Sequence, residues 1–358
     1  MTATPRKPRS SRSGRATMAD VAAAAGVSAM TVSRALRRPD TVSEEVRARV
    51  EEASRRLGFV PSRVASALAS ARTMTVAVLI PSLTNAVFID LLAGVQETLC
   101  PQGYQPLIGI TGYGPEAEER VLRTQLAHDP DGVILSGLDH TPGTWELLRG
   151  LTIPVVHTMD LAVEGYPIAG GGHDDCPVQT VGFSQFDAGY AVGAHLAARG
   201  RRRIGLIAGQ LDPRTRQRCD GWRQALRDTG RYDPDLELMV PDATSVALGA
   251  ELLERVLATH PDTDALFLCN DDLAQGALFR CARLGIPVPE RLAVAGFNDL
   301  AGAAWTVPPL TTVATPRRAI GVEAARLLIA GMADRTPNSP ENPRRVDLGF
   351  RLMVRETT

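Results

Sequence analysis

Side chains that break bonds are sparse and poorly spaced in this chain of 358 residues. There is no G-x-S-x-G elbow, no G-x-x-x-x-G-K-[ST] phosphate loop and no H-E-x-x-H metal site. Asp139–His140 and His173–Asp174–Asp175 carry metal-ligand types, but isolated His-Asp pairs are commonly loop residues, and Gly170–Gly172 reads as a crossover rather than a phosphate cradle. One stretch has a different chemistry. In residues 17–38, TMADVAAAAGVSAMTVSRALRR, the side chains Ala29, Met30, Thr31, Ser33 and Arg34 fall on one outward face. They are short apolar, hydroxyl and cationic groups of a size that enters a nucleic-acid groove, so the chemistry is recognition rather than catalysis.

The elements that must hold this face are two short helices and a turn. Thr17 caps the first, with Asp20 three positions on as the carboxylate of a capping box. Val21, Ala22 and Ala25 give a small apolar face. Gly26 ends that helix, since glycine takes a left-handed backbone at little cost. Ser28 caps the second helix, whose Val32, Ala35 and Leu36 point inward. This is a helix-turn-helix, or else an ordinary helical hairpin. Charge favours the former. Residues 1–73 hold 14 Lys and Arg against 6 Asp and Glu, and the remainder 25 against 34, a contrast hidden in the net charge of −1. A basic head on an acidic body suits a polyanionic partner.

Residues 1–16 lack large apolar side chains and read as a disordered basic arm. A third helix starts at Ser43, with Glu44 and Glu45 in its first turn and a stripe of Val46, Val50, Ala53 and Leu57 ending at Gly58. Residues 17–60 are thus a three-helix headpiece. Residues 61–73 favour helix for about two turns, too few to be stable in isolation, so they fold only when docked, or serve as a linker. Five cysteines, Cys100, Cys176, Cys219, Cys269 and Cys281, form no C-x-x-C pair and read as reduced packing residues of a cytoplasmic protein. No apolar run reaches the roughly 18 residues of a membrane span.

From Thr75 the pattern changes. TVAVLI is a continuous apolar run of strand length, as expected of a strand buried on both faces. Strands are predicted at Val76–Ile80, Gln105–Ile110, Gly132–Leu135, Val155–His157, Ile204–Ile207, Ala265–Leu268 and Leu292–Gly296. Helices are predicted at Phe88–Cys100, Glu116–His128, Thr144–Arg149, Phe186–Arg199, Arg214–Thr229, Ser245–Thr259, Asp272–Leu284 and Pro316–Ile329. Regular alternation implies an α/β body of doubly wound parallel sheets in two lobes, with a ligand cleft at the carboxyl ends of the strands. The closing VDLGFRLMVRETT reads as a last strand with no leucine heptads after it.

Several motifs carry a resemblance. They are D-V-A-x-x-A-G-V-S-x-x-T-V-S-R-A-L (Asp20–Leu36), V-S-E-E-V-R (Val42–Arg47), L-G-F-V-P-S-R-V-A-S-A-L-A (Leu57–Ala69), P-S-L-T-N-x-x-F (Pro81–Phe88), A-L-F-L-C-N-D-D-L-A-Q-G-A (Ala265–Ala277), V-A-G-F-N-D (Val294–Asp299) and P-P-L-T-T-V (Pro308–Val313). Over about residues 17–355 the chain resembles the lactose-repressor (LacI/GalR-type) family of bacterial transcriptional regulators. Stretches such as GYGPEAEERVL, VGFSQFDAG, LDPRT and the terminal DLGF make it most similar to repressors of gluconate utilisation. Ser184–Gln185 departs from the Asp-Asn usual in the family.

The resemblance implies a periplasmic-binding-protein-like effector and dimerisation domain over 74–358. Lobe 1 would span about 74–172 and 313–335, and lobe 2 about 173–312 and 336–358. It implies a homodimer, without an added tetramerisation helix, reading a palindromic double-stranded operator at the nucleoid in the cytoplasm. Ala29, Met30 and Arg34 would meet base edges. Thr31, Ser33 and Ser62 would hold phosphates, and Thr17 and Ser28 would also belong to the DNA-binding set. Arg63, Ala65 and Leu68 would belong to a hinge helix in the minor groove, with Leu68 as the wedge that kinks the duplex. Ser82, Asn85, Phe88 and Asp160 would line the effector pocket from the first lobe. Arg218, Asn270, Asn298 and Arg317 would complete it. The two arginines suit a carboxylate, so the effector would be a sugar acid, gluconate or a relative. No cofactor, metal or membrane contact is implied. Two alternatives stay open: the same fold answering to a corepressor (a purine or a phosphoprotein partner), and an α/β sugar-acid enzyme with a fused headpiece.

Overall fold

In the computed structural model, residues 16–60, 72–161, 178–333 and 344–358 are described. The chain divides into two units, Met1–Thr73 and Met74–Thr358. In the first, helices α1 (Met18–Ala25), α2 (Ala29–Arg37) and α3 (Glu44–Leu57) enclose a small core of Val21, Ala25, Val32, Val50 and Ala53. The capping box forms as expected: the Asp20 amide donates to Thr17 Oγ1 at 3.3 Å and the Thr17 amide to Asp20 Oδ2 at 2.7 Å. Gly26 has φ +64°. A feature the sequence did not announce locks the turn: Arg49 of α3 donates through Nη2 and Nε to the Ala25 carbonyl at 2.6 and 3.1 Å. A cation thus sits on the last carbonyls of α1, where the helix dipole favours it. Leu57 departs from the expected stripe and is 37% exposed, because it occupies the last helical turn before Gly58. The basic arm over 1–16 and the hinge over 61–73, with Ser62, Arg63, Ala65 and Leu68, fall almost wholly outside the described residues.

The second unit is built on two parallel sheets. The first has strand order β11-β5-β4-β3-β1-β2, with β1 Thr75–Ile80, β2 Gln105–Ile110, β3 Gly132–Ser136, β4 Val155–Thr158, β5 Thr180–Gly182 and β11 Arg345–Asp347. β1 pairs with β2 from Thr75↔Gln105 to Ile80↔Ile110, and with β3 from Val76↔Gly132 to Leu79↔Leu135. Its two faces enter different cores: Val76, Val78 and Ile80 pack on one side, Ala77 and Leu79 on the other. That is the physical content of an unbroken apolar run. The second sheet has order β7-β6-β8-β9, with β6 Ile204–Ala208, β7 Glu237–Met239, β8 Ala265–Leu268 and β9 Ala293–Ala295. A short antiparallel pair, β10 (Thr312–Ala314) with β12 (Arg351–Met353), completes the set.

The helices cover both faces: α4 Ala86–Leu99, α5 Pro115–Leu126, α6 Pro142–Arg149, α7 Gln185–Ala198, α8 Pro213–Asp228, α9 Val246–Thr259, α10 Asp271–Leu284 and α11 Arg317–Ala333. Two expectations on lobe membership change. Thr180–Gly182 and Arg345–Asp347 belong to the first sheet, not to the second lobe, and the closing stretch is two strands in two sheets, parted at Gly349 with φ +65°. Three-residue strands carry too little periodicity to declare a partner; only the pairings Thr158↔Val181 and Val346↔Val181 do so.

In each sheet the order reverses beside the first strand of its lobe, between β1 and β3 and between β6 and β8. The carboxyl ends of strands at such a switch point leave a crevice into which no connection crosses.

Candidate functional site

The headpiece presents one coherent face. Ser28 caps α2, taking the Thr31 amide at 3.1 Å, and its hydroxyl also meets Thr31 Oγ1 at 2.8 Å. Met30 is 65% exposed and Arg34 lies one turn on, its Nη2 3.3 Å from Met30 Sδ. Ala29 is exposed, and Thr31 and Ser33 are partly so. The structure thus brings Ser28, Ala29, Met30, Thr31, Ser33 and Arg34 to the outer side of one helix, while Thr17 is engaged with Asp20 at the start of another.

In the body, the two switch points face each other across a cleft. One cavity, of about 420 Å³ with part of it open to solvent, brings together Asn85 and Phe88 of the first lobe with Arg218, Asn270 and Asn298 of the second. Arg218 is fixed on three sides. Its Nε donates to Gln185 Oε1 at 2.7 Å, its Nη1 to the Cys269 carbonyl at 3.0 Å, and its plane lies 4.0 Å from the Phe297 ring centroid. Gln185, at the Ser-Gln departure, is fully buried and donates its amide to the Met159 carbonyl at 2.9 Å. It therefore ties the end of the first sheet to a second-lobe arginine. Asn270 caps α10 by taking the Leu273 amide at 3.0 Å, and Asn85 caps α4 while donating to Tyr113 Oη at 2.9 Å.

Four of the cavity residues, Tyr113, Met159, Gln210 and Asn298, hold positive φ (64°, 70°, 51° and 112°). Such backbone is uncommon outside glycine and clusters where function constrains the chain. Each of the four follows closely on the end of a strand, so the strain re-aims a strand-end residue into the cleft.

Arg214 was not among the expected residues. It is buried, pairs with Asp212 at 3.2 Å and stands 5.7 Å from the Phe88 ring centroid. Burial works against the Asp212 carboxylate, but Arg214 and Arg218 beside it hold its pKa below the usual range. Burial likewise opposes the charge on Arg218, and Arg214 nearby adds to this, lowering its pKa. The cleft thus concentrates two cations against one firmly ionised carboxylate. The signal was present in LDPRT: an Asp cap followed by Pro opens a helix, which puts Arg214 in the first turn of α8, facing the strand ends.

Asp160 is almost fully buried, with Gln217 Nε2 3.3 Å from its Oδ2, and it lines the cleft beside Asp212 and Arg214. Two expected pocket residues stand elsewhere. Ser82 is turned to its neighbours, its hydroxyl meeting Thr84 Oγ1 at 2.9 Å and the Thr84 amide at 3.1 Å. Arg317 makes contacts of its own. Its guanidinium binds Asp90 at 2.9 Å, Thr315 Oγ1 at 2.9 Å and the Asn298 carbonyl. At the start of α11 it is drawn back to Asp90 on the neighbouring α4, so it braces the backbone of Asn298 and does not line the cavity that holds that residue. His140 donates to or accepts from Glu118 at 2.5 Å and packs on Trp145. Among the described residues no group of three His, Cys, Asp or Glu could hold a metal. His173–Asp175 and Gly170–Gly172 lie outside them. No described helix is long and apolar enough to cross a membrane.

Comparison with known proteins agrees with both units. Residues 17–62 match the description "Bacterial regulatory proteins, lacI family", and residues 194–358 match a periplasmic binding protein-like domain. The chain is 46% identical over 334 residues to the HTH-type transcriptional regulator GntR of Pseudomonas aeruginosa, covering 93% of each. It is similar to the solved transcription regulator GntR from Chromobacterium violaceum, at 51% identity and TM-score 0.72 over 79% of this chain and 98% of that one. A complex of the transcriptional regulator CelR with cellobiose aligns at 30% identity and TM-score 0.68, covering 96% of this chain and 100% of the other. With a headpiece built to present one helix and relatives that are regulators rather than enzymes, the chain belongs to the lacI family of bacterial regulatory proteins, as a DNA-binding regulator of transcription.

Proposed function

We propose that the protein binds a palindromic operator as a homodimer and is released from it by a small sugar acid, gluconate or a close relative, held between the lobes. The observation that carries the effector reading is the placement of Arg214 and Arg218, one turn apart on α8, in the wall of a cavity that Asn85, Asn270 and Asn298 also line. Guanidinium groups take a carboxylate through charge-assisted bonds, and carboxamides donate to and accept from hydroxyls. The solved relative in complex with cellobiose supports a polyhydroxylated ligand for this fold.

For the dimer, Trp305 and Val307 are 84% and 89% exposed. The same loop meets α10 at Gln275, one turn from the exposed Phe279. Large apolar side chains left together in water favour self-association. On the DNA, Arg34 donates to guanine, Met30 and Ala29 make apolar contact, and Leu68 wedges the operator centre once the paired hinges fold. A ligand acts on this only through its different affinity for the two arrangements of the lobes.

The test is operator binding by the full chain, titrated with gluconate. Affinity should fall as the acid saturates the cleft, and Arg218→Ala should bind the operator normally yet ignore gluconate. Tightened operator binding would instead indicate a corepressor. No response in the parent protein would remove gluconate as the effector.

A further inference from the structure

The arginines along α8 differ in what they bind. Arg214 pairs with Asp212 at 3.2 Å, and Arg223 with Asp220 and Glu237, each at 2.6 Å. Arg218 bonds no carboxylate among the described residues. Its two hydrogen-bond acceptors, Gln185 Oε1 at 2.7 Å and the Cys269 carbonyl at 3.0 Å, are both neutral, and its Nη2 has no partner among the described residues. The acid beside it, Asp212, is engaged by Arg214. A cation taken out of water against neutral oxygens keeps a charge that only an anion can compensate.

Gln185 is the side chain that makes this so. It is the first residue of α7 and fully buried, and its Nε2 donates to the Met159 carbonyl at 2.9 Å. That bond decides which way the amide faces. A carbonyl takes only a donor, so the NH2 group points to Met159 and the amide oxygen to Arg218. A carboxylate at this position would pair with Arg218, cancel its charge and turn an acceptor on the Met159 carbonyl. An apolar side chain would leave Arg218 Nε without its acceptor. The amide holds the guanidinium in place and leaves its charge intact.

We infer that Gln185 sets the charge of the ligand, as a neutral strut that positions Arg218 and leaves its cation for a carboxylate in the cleft. This rests on the sugar-acid reading above and deepens it. Selection for an anion is assigned to a positioning residue that is not among those lining the cavity.

The experiment is calorimetric titration of the full chain with gluconate and with glucitol, the neutral polyol of the same six carbons. The parent should prefer gluconate by roughly tenfold or more, as hydrogen bonds to a charged group allow. Gln185→Glu should lose most of that preference by weakening gluconate, with glucitol little changed. Gln185→Met, neutral and of similar length, should weaken gluconate less and keep a preference for it. A merely structural role would instead make the two variants alike, weakening both ligands together, and that result would overturn the inference. So would a Gln185→Glu protein that prefers gluconate as strongly as the parent. Should Gln185→Glu fail to fold, judged by its thermal midpoint, Gln185→Met decides: gluconate binding equal to the parent's would show that Gln185 does not position Arg218. Failure of gluconate to bind the parent would overturn the effector reading itself, a separate outcome.

Discussion

A single carboxyl shows how much a residue's setting decides. Asp160 has an ordinary side chain, but burial beside the cleft pushes its pKa up to about 6, only partly offset by the Leu161 amide and Arg214. The folded state therefore holds this proton more tightly than the unfolded chain, whose carboxyl titrates near 3.8. Stability is present in full below the unfolded value and is lost as pH rises towards 6. Asp271, buried and raised to about 7, acts in the same direction over a longer window. Urea unfolding of the body across pH 4–8 should show stability falling over this range. Asp160→Asn should flatten the part that ends near pH 6, by on the order of 3 kcal/mol for two pKa units. An unchanged profile in the variant would show that Asp160 is not the group that titrates. Asp160 and Asn298, named from the motifs, each line a cavity of the cleft. The tasks of Arg214 and Arg317 were not legible in the sequence, because a guanidinium's partner is chosen by the fold: Asp90 claims Arg317 from 227 positions away.

At the scale of elements, the close crossing of α7 and α8 matters most, since α8 carries Arg214 and Arg218. The crossing depends on two glycines. A side-chain carbon on Gly221 would lie 1.9 Å from the Phe186 carbonyl oxygen, and one on Gly189 would lie 2.0 Å from that of Arg218. Backbone cannot yield as a flexible side chain does, so Gly221→Ala has to part the helices. The expected outcome is destabilisation of about 1–3 kcal/mol or more, read as a lower thermal midpoint, with a weaker ligand response as Arg218 shifts. If the midpoint holds, the crossing is looser than its geometry implies. The helices themselves were readable from caps and periodicity: Ser28, Ser43, Asp212, Ser245 and Asn270 all cap as their types suggest. The strands β5, β7, β10 and β11, three residues each and outside any longer apolar run, were not.

For the whole molecule, the prediction concerns assembly. Replacing Trp305 and Val307 together with aspartate should leave a folded body that sediments as a monomer and binds operator weakly. On the proposed dimeric reading, half of the operator contacts would be gone. Leu68→Ser should leave the dimer and its ligand binding intact while removing preference for the operator over random DNA. A dimer that survives the double aspartate change would place the interface elsewhere. The charge contrast of the two units bears on the same scale: the phosphate contribution from the basic first unit should weaken steeply with salt.

The sequence by itself determined the recognition helix, the α/β alternation and the family. Each of these is written in short-range pattern: caps, a glycine turn, apolar spacing and contiguous motifs. Only the tertiary structure decided which strands share a sheet, that Gln185 and the Cys269 carbonyl steady Arg218, and that Asp90 holds Arg317. The physical reason is range. Local propensity and periodicity act over a few residues, whereas a cavity's charge and the partner of a buried polar group are set by segments far beyond that range, 33 positions for Arg218 with Gln185 and 227 for Arg317 with Asp90, brought together by the fold.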